Sequence, residues 1–364
     1  MGPPSGRRVQ IVQVFRGAAA LLVVLFHATS VDKLYIQHVY LDDIFMFGYG
    51  GVDFFFVLSG LVIALAHGHD VGDAGRLRPY VVRRLVRIYP VYWIVAAMLA
   101  PLYFGAPRHA ADLMALLRAF LLLDPIDNPV VAVAWSLTHE LFFYAMFGLA
   151  ICLPRRHVIR LFTAWLSLSA VWYVALLVAG GRLRWPAGAF LFSPYNLEFA
   201  MGAAVAYALR FGRATGGIAL AIAGATLFLL SGVNEPILHQ YFSQSHSIVC
   251  YGSSSMLLVW GAVQWERSSG ARMPAPLMLL GDASYSIYLT HYALLDLLAR
   301  ASLALGVASV VGPTTTMTII IVLTVGFGIA FYERVERPVL ARLRPGHAPL
   351  PGTRRHFQAW KTMR

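Results

Sequence analysis

Apolar runs of about 20 residues, the length a helix needs to cross hydrocarbon, recur along the chain between short polar breaks. Ten such segments stand at about 11–29, 45–67, 86–105, 134–153, 158–179, 190–209, 216–232, 246–264, 283–303 and 311–333. The pattern predicts an all-α fold: a polytopic membrane bundle of about ten transmembrane helices. The longest break, 106–133, contains "DLMALLRAFLLL", which predicts a short helix lying on the membrane surface or dipping into it. No break is long enough for a second folded domain. Residues 1–364 are therefore expected to form one membrane domain, with a core of about 10–338 and a basic tail of about 339–364.

Composition supports the membrane reading. Hydrophobic residues make up 59% of the chain and charged residues 13%, and the mean hydropathy is +0.66. Soluble domains are roughly half apolar and a quarter charged. The charge is unevenly spread. With the N-terminus on the cytoplasmic side, 22 Lys and Arg residues fall in cytoplasmic segments and six outside, which predicts that both termini are cytoplasmic. The net charge of +12 is then a topological signal and a match to anionic lipid headgroups, so no nucleic-acid partner is called for. Arg16 interrupts the first apolar segment and no good cleavage site follows, so that segment is expected to be retained rather than removed as a signal peptide. Cys152 and Cys250 have neither metal-ligand spacing nor the look of a disulfide framework. No Walker loop, dinucleotide fingerprint or HExxH motif is present, and no metal is expected.

Ionisable residues inside the apolar segments carry the functional signal. In "FRGAAALLVVLFHATS", Arg16 and His27 lie eleven residues apart. On an α-helix that is about 20° past three full turns, with a rise of roughly 16 Å, so the two share one face. Polar residues at such depths face the bundle interior or a water-filled cavity, and the spacing predicts one interior channel holding both. The alternative is an arginine that snorkels to one interface and a histidine at the other. Asp53 in "GVDFFFVLSG", His139 and Glu140 in "AWSLTHELFFY", Asn196 and Glu198 in "SPYNLEFAMG", and His291 in "GDASYSIYLTH" make further segments polar inside. Asp53 or Glu140 could orient the His27 imidazole, or each could serve a buried ion pair or an interhelical hydrogen bond. Neighbours 139 and 140 point about 100° apart, so one of them at most faces a shared cavity squarely, and Glu140 is favoured. Ser136, Asn196, Glu198, Tyr288 and His291 are the remaining candidate cavity-lining residues. The loop "RPYVVRRLVRIYP" carries a run of arginines that a positive-inside signal would explain, but Arg84 and Arg87, three apart on one helical face, also suit phosphate recognition. Intramembrane His, Asp and Glu residues would equally serve a proton-coupled carrier or glycolipid flippase, although the absence of an obvious internal repeat weakens that reading.

The Arg16–His27 spacing together with "GGVDFFFVLSGLVIA", "RRLVRIYPVYW", "WSLTHELFFY", "LEFAMGAAVAY", "LGDASYSIYLTH" and "ERVERP" resembles, in order and over nearly the whole chain, the acyltransferase-3 family of membrane acyltransferases. These include the O-acetylases of bacterial surface polysaccharides and Nod factors. The resemblance implies a multi-pass enzyme of the bacterial inner membrane. It would take an acetyl group, or next a succinyl group, from cytoplasmic acyl-coenzyme A as a substrate rather than a tightly bound cofactor. The acceptor would be a sugar hydroxyl of a surface, exported or lipid-linked glycan. Arg84 and Arg87 would then bind the nucleotide phosphates, Arg16 would hold the donor or stabilise negative charge, and His27 would act as general base or as nucleophile. Two departures stand out. His139 replaces the apolar residue the family usually has before the glutamate, so no role is assigned to it. The chain also ends some 30 residues after its last apolar segment, without the C-terminal SGNH-type domain of many relatives.

Overall fold

The structure, a computed structural model, describes residues 9–104, 113–124, 128–179, 186–211, 216–242 and 247–343. The basic tail from 344 onward, and Arg7, Arg8, Arg108, Arg182, Arg184 and Arg213 from the charge count, lie outside the described residues. Among the described residues there is no β-strand, as the apolar pattern predicts. The α-helices are α1 (Gln10–Val31), α2 (Gly50–His67), α3 (Leu77–Phe104), α4 (Leu113–Phe120), α5 (Trp135–Cys152), α6 (Arg155–Val178), α7 (Pro186–Leu191) and α8 (Tyr195–Phe211). The second half holds α9 (Gly217–Val233), α10 (Glu235–Phe242), α11 (Ser253–Ser269), α12 (Ala275–Asp282), α13 (Ser284–Ala304), α14 (Val307–Val311), α15 (Pro313–Phe331) and α16 (Arg337–Leu343). Four helical stretches are long and apolar enough to cross a membrane: Gln10–Ile36, Met46–His67, Arg155–Val178 and Pro313–Leu343. The apolar Gly217–Val233 is shorter.

The segment around "DLMALLRAFLLL" forms α4, and its outer face exposes Leu113, Met114 and Leu117. A helix end leaves carbonyls without intrahelical donors. Three side chains of α3 supply donors to this one: Tyr92 Oη donates to Ala119 O at 2.5 Å, Trp93 Nε1 to Phe120 O at 2.9 Å and Tyr89 Oη to Leu121 O at 3.0 Å. Positions 89, 92 and 93 share one face of α3, so the helix that carries Arg84 and Arg87 also anchors α4.

Small residues set the central contact. A Cβ on Gly60 of α2 would stand 2.0 Å from Phe199 O, and a Cβ on Gly202 of α8 would stand 1.9 Å from Val57 O. The two backbones therefore approach as closely as side-chain-free positions allow, the way helices associate where lipid removes the hydrophobic drive between them. This approach ties α8 to the back of α2 and leaves the other face of α2 free for a cavity. Gly60→Val should push α2 and α8 apart. An overpacked core loses about 1–3 kcal/mol, occasionally more, so thermal unfolding of the purified variant in detergent should show a melting temperature several degrees lower, and an unchanged transition would contradict the packing described.

Candidate functional site

Helical spacing brings the cavity together. Ser136, Glu140 and Tyr144 recur every four residues on α5, Phe55, Ser59 and Val62 line one side of α2, and Arg84 and Arg87 stand three apart on α3. With Arg16 from α1 and Ser284, Tyr285 and Tyr288 from α13, they enclose a cavity of about 180 Å³. Its walls are mostly apolar, while three guanidinium groups and one carboxylate face the space.

Each charge has a local device. Glu140 accepts hydrogen bonds from Ser59 Oγ at 3.1 Å and from the Tyr144 hydroxyl. The Arg84 guanidinium lies over the Tyr144 ring at 5.4 Å and over the Tyr80 ring at 5.8 Å. Its buried Nε has no hydrogen-bond partner among the described residues, so this cation keeps donor capacity in reserve. Arg87 Nη1 pairs with Glu336 Oε1 at 2.7 Å, and Ser286 Oγ donates to Glu336 Oε2 at 2.7 Å. Arg16 Nη1 donates to Gln13 Oε1 at 3.4 Å and lies in the field of Arg87, Glu140 and Glu336. Mixed charges of this kind keep the arginines tolerable in an apolar bundle.

Glu336 was not singled out in the sequence, although it lies in "ERVERP". That stretch offers Glu333 and Glu336, and α-helical spacing does not separate them. The wider π-helical turn Tyr332–Glu336 does: Glu333 is exposed and Glu336 wholly buried.

The histidine lies beyond the cavity. His27 contacts the rings of Phe26 and Tyr292, each at 4.9 Å, and of His291 at 5.2 Å. His291 is buried, and its Nδ1 donates to Tyr288 O at 2.7 Å, since a carbonyl can only accept. Its Nε2 then carries a lone pair and has no hydrogen-bond partner among the described residues. Tyr288 in turn shares a 2.7 Å hydrogen bond with Ser136 Oγ and donates to Val133 O at 3.1 Å, bracing the wall of the cavity.

This corrects two expectations. His27 does not line the cavity that Arg16 lines, and ring contacts run from Tyr288 of the cavity wall through His291 to His27. No carboxylate pairs with His27 among the described residues; its titratable neighbour is a second imidazole. Of the remaining candidates, Arg84, Arg87, Glu140, Ser136 and Tyr288 meet at the cavity, while Asp53, Asn196, Glu198 and His291 do not line it. The close approach of α8 to α2 is the reason for three of these four. It sets the Glu198 carboxyl in the field of Asp53 across the helix interface. Asn196 faces away and donates to Ser169 Oγ and Leu191 O, both at 3.0 Å. His139 turns from the cavity into the rings of Phe56, Trp135, Phe190 and Tyr195, so the cavity takes Glu140 as the 100° offset predicts.

An apolar helical bundle enclosing an arginine-lined pocket, with a half-buried and a buried imidazole beyond it, has the makings of a membrane enzyme that binds an anionic substrate and moves a group or a proton. Residues 9–333 match the acyltransferase-3 family of acyltransferase domains, and the chain belongs to that family of membrane proteins. It is an acyltransferase, which sets the carrier alternative aside. It is similar to the exopolysaccharide production protein ExoZ of Rhizobium meliloti strain 1021, at 31% identity over 313 residues that cover 82% of this chain and 92% of the relative. No solved structure matches the chain.

The Arg87–Glu336–Ser286 arrangement generates a stability prediction. Breaking a buried pair costs about 3–5 kcal/mol, and Glu336→Ala should fall at or below the lower end because Arg87 opens to the cavity. Ser286→Ala should cost about 1 kcal/mol. Thermal denaturation in detergent checks both, and equal losses from the two variants would contradict the assignment of Glu336 as the anchor of Arg87.

Proposed function

We propose that the protein moves an acetyl group, or another short acyl group such as succinyl, from acyl-coenzyme A to a sugar hydroxyl of a surface or exported glycan. In this reading it sits in the bacterial inner membrane as a bundle of about ten spans with both termini cytoplasmic. The asymmetry of its Lys and Arg residues favours that orientation. The name of the ExoZ relative favours an exopolysaccharide acceptor. The observation that carries the donor assignment is the cavity itself, in which Arg16, Arg84 and Arg87 outnumber the single carboxylate of Glu140 in the mostly apolar space of a family acyltransferase.

The diphosphate of the donor would lie on Arg84, whose buried Nε is unpartnered, and on Arg87, held in place by Glu336. The pantetheine arm would run along the apolar walls past Arg16 toward Tyr288. His27 is half-buried on the far side of Tyr288, open to an acceptor arriving from the opposite direction. As general base it takes the proton of the sugar hydroxyl while that oxygen attacks the thioester carbonyl carbon. The new C–O bond forms, the C–S bond breaks, and the proton passes from the imidazolium to the departing thiolate, giving ester and free coenzyme A. The lone pair of His291 Nε2 makes it the natural acceptor for an N–H of His27, leaving the other His27 nitrogen as the base. For the thioester to meet His27, the Tyr288 side chain must give way.

His27→Ala should lower acyl transfer by at least 100-fold, within the range general-base catalysis contributes, while leaving coenzyme A binding by calorimetry near wild type. Transfer near the wild-type rate by folded His27→Ala protein would sink the assignment. Arg84→Ala should weaken coenzyme A binding, with a loss that shrinks as salt rises. Mass spectrometry of surface glycans with and without the gene decides the acceptor, and glycans acylated identically in both strains would count against a glycan.

A further inference from the structure

A second cavity, of about 190 Å³, lies where α2 ends and α3 begins, and none of its residues takes part in the mechanism above. His67, His69, Asp70, Arg76, Tyr80 and Arg83 line it. Its one carboxylate is already engaged. Asp70 Oδ2 meets His67 Nδ1 at 2.8 Å, and Oδ1 meets His69 Nε2 at 3.2 Å and Arg76 Nε at 4.0 Å. Arg76 is shared with Asp73, at 3.6 Å. Arg83 has no ion pair or hydrogen bond among the described residues. The space therefore offers an uncommitted guanidinium, a second one held at its rim and two imidazoles, a donor set suited to a phosphate group.

Its position relative to the first cavity selects the phosphate. The Tyr80 ring lines the second cavity and lies against Arg84, which lines the first. The His67 ring packs edge-on against it at 5.0 Å, and the Arg84 guanidinium, which lines the first cavity, lies over it at 5.8 Å. Tyr80 is held there by its hydroxyl, which donates to Tyr144 O at 2.9 Å. Two arginine-lined spaces thus lie on either side of one aromatic ring. Coenzyme A carries two phosphate groupings separated by one ribose ring, its diphosphate and its 3′-phosphate. We propose that the second cavity is the subsite for the 3′-phosphate of the acyl-coenzyme A donor, with Arg83 as its principal ligand and Arg76 as its second. This rests on the reading that the diphosphate lies at Arg84 and Arg87. It makes the protein selective for coenzyme A thioesters over those of carriers that end at the phosphopantetheine.

The test compares coenzyme A with 3′-dephospho-coenzyme A, by calorimetry on the purified full-length protein in zwitterionic detergent. Charge-assisted hydrogen bonds contribute about 1.5–3 kcal/mol, so the wild-type protein should favour coenzyme A by roughly 10-fold or more. Arg83→Ala removes a side chain without a partner among the described residues, so the fold should be kept. It should reduce the preference to near unity by weakening coenzyme A alone, with 3′-dephospho-coenzyme A bound as by wild type. Arg83→Lys should restore part of the preference. Equal binding of the two ligands by wild type, or a preference that survives in Arg83→Ala, overturns the subsite while leaving the donor reading standing. Failure of coenzyme A itself to bind overturns the donor reading and the subsite with it. An anionic lipid headgroup is the other source of phosphate at this face. If Arg83→Ala lost only the retention of phosphatidylglycerol in native mass spectra, with the coenzyme A preference intact, the pocket would belong to lipid and the proposal would fall.

Discussion

Cations inside an apolar helix bundle are the constraint on which the site depends. A guanidinium cannot be deprotonated at physiological pH, and at membrane depth it must find counter-charges, aromatic faces or a polar cavity. Arg87 finds Glu336, Arg84 finds the rings of Tyr80 and Tyr144, and Arg16 finds Gln13 and the field of Glu140 and Glu336. These solutions draw on α1, α3, α5 and the turn after α15. The arginines therefore organise the bundle as much as the bundle organises them. Arg84 lines the cavity, and its buried Nε has no hydrogen-bond partner among the described residues.

The second constraint is the close packing of α2 on α8. Because Gly60 and Gly202 let two backbones nearly touch, Glu198 of α8 meets the back of α2 and not the cavity. Two polar systems result: the arginine-lined cavity on one side of α2, and the Asp53–Glu198 contact on the other. A single interior channel shared by every intramembrane ionisable residue would have needed α8 on the other face. The arrangement also bears on the imidazole pair: Glu140 is bound by Ser59 and Tyr144, Asp53 lies near Glu198, and the titratable group beside His27 is His291.

In the proposed reaction, an acyl donor and a glycan acceptor that reach His27 from opposite directions need a barrier between their compartments. Tyr288 is placed to be that barrier, with its hydroxyl bound to Ser136 and Val133 and its ring against Phe55 and His291. Small neutral hydrogen bonds hold it, each worth about 1 kcal/mol, so its displacement by a bound pantetheine arm is within reach of ordinary binding energy.

The sequence by itself determined the helical class, the membrane setting, the family and the faces on which Arg16, Arg84, Arg87 and Glu140 would stand. Hydropathy runs and residue spacing are local properties, and a helix converts spacing directly into direction. Only the tertiary structure decided which of those faces meet. It separated Asp53 from Glu140 by seating α2 on α8 at Gly60 and Gly202, it chose Glu336 over Glu333 through a π-helical turn, and it put His291 beside His27 where the sequence left Asp53 and Glu140 as alternatives. Those outcomes depend on how neighbouring helices rotate about their axes to reach backbone contact, and a periodicity that fixes direction within each helix is silent about rotation between helices.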